Sequence, residues 1–306
     1  ENMQAYRMEE HGFALILREI RNRLFRKLTN RGTDLFLRGR DIISVSPQTS
    51  GLHEPTLTSF LKYKSTTGSS DFLIDIGANI GLTTCQNGGD FDSVFCFEPN
   101  PLCSHILKVN TEIALGSDKV QVFDFGLGER DEQLDLMIPK HNWGGAYVKS
   151  DSNSYSDEVL ALKDGFDAVK PENYLSKQVD IKTGRVALAS VFEQLDAQSK
   201  KSGIIKIDVE GMEPVVLQEI AAALPKSFKA SIVFENWDKD FDFDALRGYF
   251  AGRTIKLQKL FVDLPYKTKA PEFLKGLSLL FGRKTVTAKD FANCSDFTGD
   301  IVLTVD

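Results

Sequence analysis

Residues 71–84 read DFLIDIGANIGLTT. An apolar run ends in Asp75, and Gly77 and Gly81 then bracket a tight turn before a helix, so the segment reads as strand, turn, helix. In that arrangement backbone N–H groups and the helix N-terminus face a crevice above the strand ends, where α/β folds cradle nucleotide-like ligands. The spacing G-x-x-x-G is neither the G-x-G-x-x-G dinucleotide fingerprint nor the Gly-Lys-Ser/Thr phosphate loop, so a pyrophosphate is not the expected guest. A carboxylate at Asp75 repels phosphate and suits a cationic group such as an ammonium or a sulfonium. The plainer reading is that the two glycines only let strand and helix pack closely.

Outward from this turn, strand and helix alternate. Strands are predicted over 72–76, 94–97 and 120–125, with helices from Gly81 and over 102–115, the βαβαβ rhythm of a doubly wound parallel sheet. A helix over 188–198, a strand over 204–209, a helix over 214–224, a strand over 231–234, a helix over 243–250 and strands over 255–261 and 301–305 bring the count to about seven. The polar stretch 149–174 reads as a surface insertion or a mobile flap.

The first 65 residues read as a helical extension, and 66–306 as the sheet domain. Phe13, Leu17, Ile20, Leu24 and Leu28 mark one apolar stripe of a helix, and a short helix over 55–63 precedes a Ser/Thr/Gly-rich turn. From Arg18 to Arg40, eight basic residues, Arg18, Arg21, Arg23, Arg26, Lys27, Arg31, Arg38 and Arg40, stand against Glu19 and Asp34. That basic face is either a solvated surface above a stripe packed on the domain, or a contact for an anionic acceptor or a peripheral membrane surface.

Composition narrows the function. With 42% hydrophobic and 26% charged residues the chain is an ordinary globular protein, and its net charge of −6 argues against general nucleic-acid binding. No apolar run approaches the roughly 20 residues of a transmembrane segment. The first residues lack the basic-then-apolar order of a secretory signal. The four cysteines form no C-x-x-C pair and the four histidines no H-x-x-x-H pair, so a structural zinc is not expected, and reduced thiols fit a cytoplasmic location.

Two further stretches carry acids at strand ends. VFCFEPNP, 94–101, places Glu98 at the end of the second strand, 23 residues after Asp75, where such folds put an acid that accepts two ribose hydroxyls. IIKIDVEGMEP, 204–214, places Asp208 and Glu210 on one side of an extended segment at the same rim, although Glu210 and Glu213 also suit the free amides of the next helix.

Together, DIGANIGLTT at 75–84, FEPNP at 97–101 and KIDVEGMEPVVL at 206–217 resemble the FkbM-type S-adenosylmethionine-dependent methyltransferases, which O-methylate hydroxyls of sugars and polyketide-like natural products. The resemblance covers about residues 51–237. It implies an α/β fold with a Rossmann-like seven-stranded class I methyltransferase sheet, mostly parallel with the last strand antiparallel, and S-adenosylmethionine as cofactor. By the same resemblance Asp75, Gly77, Ala78, Asn79 and Gly81 line the methionine end, and Glu98, with Pro99, takes the ribose. Asn100 flanks the adenine with Asp124, Phe125 and Gly126, and Glu54 in LHEPTLTSFL touches the cofactor. The family's Leu-Asp before the fourth strand is absent: ALASVFEQL carries Ser190 near that place.

Methyl transfer to a hydroxyl needs alignment and a proton acceptor. Asp208, Glu210, Glu235 in SIVFENW and His141 in PKHNWGGAY are the candidate bases, and Trp143 offers a face for a sugar. A Mg²⁺ held by Asp208, Glu210 and Glu235 is the alternative to a metal-free base. An NAD-dependent oxidoreductase and a non-catalytic nucleoside-binding module are the competing functions. The first lacks its glycine fingerprint.

Overall fold

Every residue of Phe72–Ile76 (β1) is buried, the pattern of a strand covered on both faces. The computed structural model describes residues 13–150, 171–264 and 284–306, with positions 152, 153, 155, 159 and 282. Most of the predicted 149–174 insertion lies outside the described residues.

Ser93–Phe97 (β2) and Ser202–Ile207 (β8) pair in parallel with β1 on its two sides. Val120–Phe123 (β3) continues the sheet beyond β2, and Lys229–Asn236 (β9) continues it beyond β8, both in parallel. Gly299–Val305 (β12) then pairs antiparallel with β9, followed by Ile255–Asp263 (β10) and Thr285–Asp290 (β11). The order is β11-β10-β12-β9-β8-β1-β2-β3. The expected seven strands, mostly parallel with the last antiparallel, are all present, and β11 adds an eighth at the edge. From β1 the chain winds outward through Leu82–Asn87 (α4) to β2, through Pro101–Leu115 (α5) to β3, and only later returns to β8 on the other flank. The carboxyl ends of β1 and β8 therefore form a topological switch point, where sheets of this kind open a crevice.

Alternation along β1 decides the two cores. Phe72, Ile74 and Ile76 face a cluster with Leu188, Val191 and Phe192 of Gly184–Ala197 (α6) and Val216, Leu217 and Ile220 of Glu213–Ala223 (α7). Leu73 faces the other cluster, with Leu57, Phe60 and Leu61 of Pro55–Thr66 (α3) and Leu107 of α5. The third helix of the predicted extension thus belongs to the sheet's covering layer. Ile42–Ser50 (α2) was not foreseen from the sequence; it carries Pro47 in its interior. Residues 35–43 pack through Leu35, Leu37 and Ile43 on Ile80, Leu82 and Cys103. Asn110 clamps this segment, accepting from Phe36 N at 2.7 Å and donating to Ile80 O at 2.7 Å. Phe13–Leu28 (α1) forms as predicted, but its apolar stripe stays exposed instead of packing on the domain.

A second sheet departs from the sequence reading. The third strand, expected to run through Phe125, stops at Phe123; Gly126–Gly128 (β4) then joins Glu132–Pro139 (β5), Tyr147–Val148 (β6) and Tyr174–Thr183 (β7) in the order β4-β7-β5-β6.

Phe192 is fully buried, edge-on to Phe72 at 6.3 Å and to Phe228 at 5.3 Å. Replacing it with alanine is expected to cost about 3–5 kcal/mol of stability, read as a lower urea midpoint at an unchanged slope. A loss below about 1 kcal/mol would show that this cluster does not carry the core.

Candidate active site

Gly77 holds φ +78°, donates its N–H to Phe97 O at 2.9 Å, and leaves no room for a Cβ, which would lie 1.8 Å from Asp208 O. Glycine is therefore what lets the ends of β1 and β8 meet. At Gly81 the added Cβ would meet Leu107 at 2.7 Å, so there the close-packing reading of the motif is correct.

The turn and the end of β2 form one wall of a first cavity of about 690 Å³, counting its open mouth. That volume lies within the range of about 300–1,000 Å³ usual for small-molecule sites. Glu98 sits in its wall with both carboxylate oxygens fixed: Asn79 N donates to one and Asn100 N to the other, each at 2.7 Å. Burial pushes the Glu98 carboxyl up to about 7, against the opposing pull of these two amides. The remaining lone pairs are placed to accept hydroxyl protons. Opposite lie Gly126, Leu127, Ile181, Val209 and Met212, an apolar slot suited to a flat heterocycle. A Cβ at Gly126 would come within 2.7 Å of Ile181, so that slot is narrow by construction. Asn79 Oδ1 and Trp143 Nε1, both buried, have no hydrogen-bond partner among the described residues. An apolar slot, an acceptor carboxylate and two unsatisfied polar atoms fit an adenosyl group.

A second cavity of about 680 Å³ opens on the other side of the turn and shares Gly77, Asn79, Gly144 and Asp208 with the first. Lys206 lies beneath it. Its ammonium is 3.1 Å from Asp75 Oδ1 and 3.5 Å from Asp208 Oδ2, and donates to Gly77 O at 3.0 Å. Burial alone would lower the lysine; the carboxylates of Asp75, Asp208 and Glu54 outweigh it and push the group above the ordinary lysine range. Thr84 donates to Asp75 Oδ2 at 2.6 Å.

Around the second cavity stand His53, Glu54, Asp208, Glu210 and Glu235. Burial, and then Asp208, push the Glu54 carboxyl up to about 7, although 41% of the side chain still meets solvent. Asp300, opposite Glu235 in the β9–β12 pairing, is raised to about 6 by burial and by Glu235 and Asp208. His53 is lowered to about 4 by burial and by Lys206, so its imidazole is neutral. Among the described residues five that are not glycine have positive φ, and three of them, Glu54, Asn79 and Glu210, line this one cavity. Such strain concentrates where function fixes the backbone.

The structure thus brings Glu54, Gly77, Ala78, Asn79, Glu98, Pro99, Gly126, Asp208, Glu210 and Glu235 to the two cavities. It places other expected residues elsewhere. Asp75 is fully buried below the turn, paired with Lys206, and does not line the methionine end as expected. Alternation from Ile74 and Ile76 turns it to the opposite face of the sheet. Asn100 is the N-cap of α5, accepting from Leu102 N and donating to Cys103 Sγ, so its side chain is spent within the protein. Asp124 is turned outward to Ser104 and Lys108, and Phe125 packs edge-on to Phe97 and tilted against Phe123. His141 is exposed, whereas Asn142, Trp143, Gly144 and Gly145 of the same loop reach the walls. Sequence reading missed Lys206, His53, Ile43, Trp237 and Asp300. A lysine interrupting the apolar run Ile204–Ile207 was the available signal for the first.

A family model described as the methyltransferase FkbM domain matches residues 75–258. No curated protein matches the sequence. Among solved structures, a precorrin 8W decarboxylase of Methanobacterium thermoautotrophicum is 10% identical, with a TM-score of 0.39 over 89% of this chain and 100% of that one. An O-methyltransferase from Bacillus cereus in complex with SAH is 12% identical, with a TM-score of 0.40 over 83% and 82%. The methyltransferase FkbM from Methylobacillus flagellatus KT is 16% identical, with a TM-score of 0.38 over 80% of this chain and 56% of that one.

Two outcomes follow from the electrostatics. Asp75→Ala leaves a buried ammonium without its nearest charged partner and is expected to cost about 3–5 kcal/mol of stability, measured by denaturant unfolding. Glu98 has its folded pKa raised, so between about 4.5 and 7 the folded chain holds a proton that the unfolded chain has released, and stability falls as pH rises through that window. Across it Glu98→Gln is expected to lose about 3 kcal/mol less than wild type, whatever its absolute stability. Identical pH slopes would remove Glu98 as a strained carboxylate.

Proposed function

The chain belongs to the FkbM family of S-adenosylmethionine-dependent methyltransferases, and from that premise we propose that the methyl group goes to a hydroxyl of a sugar, glycan or related natural product. The observation that carries this reading is Asp208, the one carboxylate on the walls of both cavities. The first cavity suits the adenosyl portion of the donor and the second suits the acceptor. Their junction is where the two reacting atoms meet.

When bound, S-adenosylmethionine supplies an electrophilic methyl carbon on a sulfonium. The chain's own tasks are orientation and proton removal. Glu98 accepts the ribose hydroxyls while Asn79 N and Asn100 N hold its oxygens in place. Gly126, Leu127 and Met212 enclose the base, and Glu54 offers negative charge to the ammonium of the methionine end. Asp208 would take the acceptor's hydroxyl proton, while the bound donor would supply the methyl group and leave as its neutral thioether. Lys206, 3.5 Å away, fixes the direction of its carboxylate. Glu210 and Glu235 line the acceptor side, where their oxygens accept from the substrate's other hydroxyls. Trp237 supplies an aromatic face for a sugar ring on the acceptor side. An aliphatic hydroxyl is a poor nucleophile, and this acid-rich wall is what its activation demands.

The proton acceptor is a carboxylate and not a metal-bound group. The Lys206 ammonium stands where Mg²⁺ on Asp208 would meet like charge. The oxidoreductase alternative falls with family membership. A binding-only role is separated from catalysis by the following test.

With labelled methyl donor and a panel of glycans, Asp208→Asn is expected to lower kcat about 10²–10⁴-fold while changing the Kd for S-adenosylhomocysteine less than about threefold. Glu98→Gln turns one acceptor oxygen into a donor and weakens that binding about 10–100-fold by calorimetry. EDTA leaves turnover unchanged. Full turnover by Asp208→Asn assigns the proton to another group; methylation of no hydroxyl acceptor by wild type overturns the O-methyl reading.

A further inference from the structure

We propose that α1 is a membrane-surface helix that lies in the plane of an anionic bilayer and docks the protein there.

In α1, Phe13, Ile16, Leu17, Ile20, Leu24 and Leu28 are 42–71% exposed. At about 100° per residue they gather on one arc of about 120°, a continuous apolar stripe. A helix that belonged to its own domain's core would bury such a stripe, and contiguous exposed apolar surface marks a contact site. Around the stripe stand Arg18, Arg21, Arg23, Arg26 and Lys27, and among the described residues of α1 Glu19 is the one acid, itself bonded to Arg23 at 3.0 Å. The local charge is therefore strongly positive on a chain whose net charge is −6. Lys27 falls inside the apolar arc, where its methylene stem can lie along the stripe while its ammonium reaches headgroup depth.

These features select the occupant. A hydrophobic groove on another protein would take the stripe but gain nothing from the ring of cations. An anionic bilayer rewards both, through burial of the stripe at the headgroup boundary and through attraction to the lipid charges. Five Lys or Arg and one Glu among the 16 described residues of the helix suit the bilayer surface and not its apolar interior.

Beyond α1, Phe36, Ile42 and Val45 form a second set of apolar side chains, all more than half exposed. This second patch is rigidly joined to the site. Thr33 N donates to Pro47 O at 3.1 Å, Ile43 lines the second cavity, and the Arg38 guanidinium stacks 4.1 Å over Trp143. Docking through α1 and this patch therefore sets how the cavity mouth faces the bilayer. The docking itself is independent of the reaction assigned to the cavity.

The test is sedimentation of the full chain with vesicles of phosphatidylcholine alone, or of phosphatidylcholine and phosphatidylserine in equal parts. Binding is expected only to the anionic vesicles, with release at high salt. Leu17→Glu with Leu24→Glu is expected to weaken it about tenfold or more, and Arg21→Glu with Arg26→Glu to do the same while flattening the salt dependence. Both double variants are expected to keep the wild-type melting temperature and affinity for S-adenosylhomocysteine, because the replaced side chains are exposed. No binding to anionic vesicles, or full binding by the leucine double variant, overturns the proposal. So does a concentration-dependent dimer that the leucine variant abolishes while vesicles stay unbound, which would assign the stripe to a second copy of the chain.

Discussion

The Lys206 ammonium is the point on which the site depends. It enters from β8 directly opposite Asp75 of β1, in a sheet whose neighbouring residues are apolar on both faces. An isolated buried cation there would cost several kcal/mol. Asp75 on the adjacent strand, Asp208 two residues on and the carbonyl of Gly77 share it between them. One group thus ties together the nucleotide-type turn, the end of β8 and the acid at the junction of the cavities. The geometry of each becomes a condition of the others. Asp208 N donates to Ile76 O at 2.9 Å, closing the same joint through the backbone.

Strain is the second constraint. Glu54, Asn79 and Glu210 each adopt a left-handed conformation that costs a residue with a Cβ about 1 kcal/mol or more. Each points a polar side chain at one cavity, from three segments far apart in sequence: the start of α3, the turn after β1 and the rim after β8. Helix starts and strand ends are where a chain can turn so sharply without breaking a ladder of hydrogen bonds. The surrounding structure supports the strain locally. Asn79 N bonds Glu98, and Glu210 O accepts from Asn153 at 3.0 Å.

Much of this was legible in the sequence, and the remainder was hidden for identifiable reasons. Strands buried on both faces, such as Phe72–Ile76, announce themselves as apolar runs, and their glycine-marked ends give the turn. The second sheet does not, because β5 interleaves Glu132, Gln133 and Asp135 with its apolar residues and shares only part of its surface with the core. Helix α2, with Pro47 and three serines, has composition that argues against a helix; Asp41 caps it and the packing of Ile43 holds it. Asp75 was assigned to the ligand because it precedes the glycines. Which face a strand residue takes depends on alternation carried to the strand end, and that puts it with Lys206. The Gly126 wall was legible as position, but the outward turn of Asp124 depends on Ser104 and Lys108 of α5, a contact no local pattern encodes.

Asp41 shows why the N-terminal segment and the site form one mechanical unit. Its buried carboxylate accepts from Ile43 N at 3.4 Å as the cap of α2, from Arg38 at 3.0 Å, and from Trp143 N at 3.2 Å. Arg38 in turn donates to Lys140 O at 2.6 Å and covers the Trp143 ring. The loop that walls both cavities is therefore held by residues 38–43 as well as by the sheet from which it emerges, where Trp143 and Ala146 pack on Leu136, Ile138 and Val179. Force or order applied to the N-terminal helices is transmitted to Trp143 through a charged, buried contact with few alternative arrangements. A helix lying on a bilayer would hold that segment still, and the wall of the cavities would be held still with it.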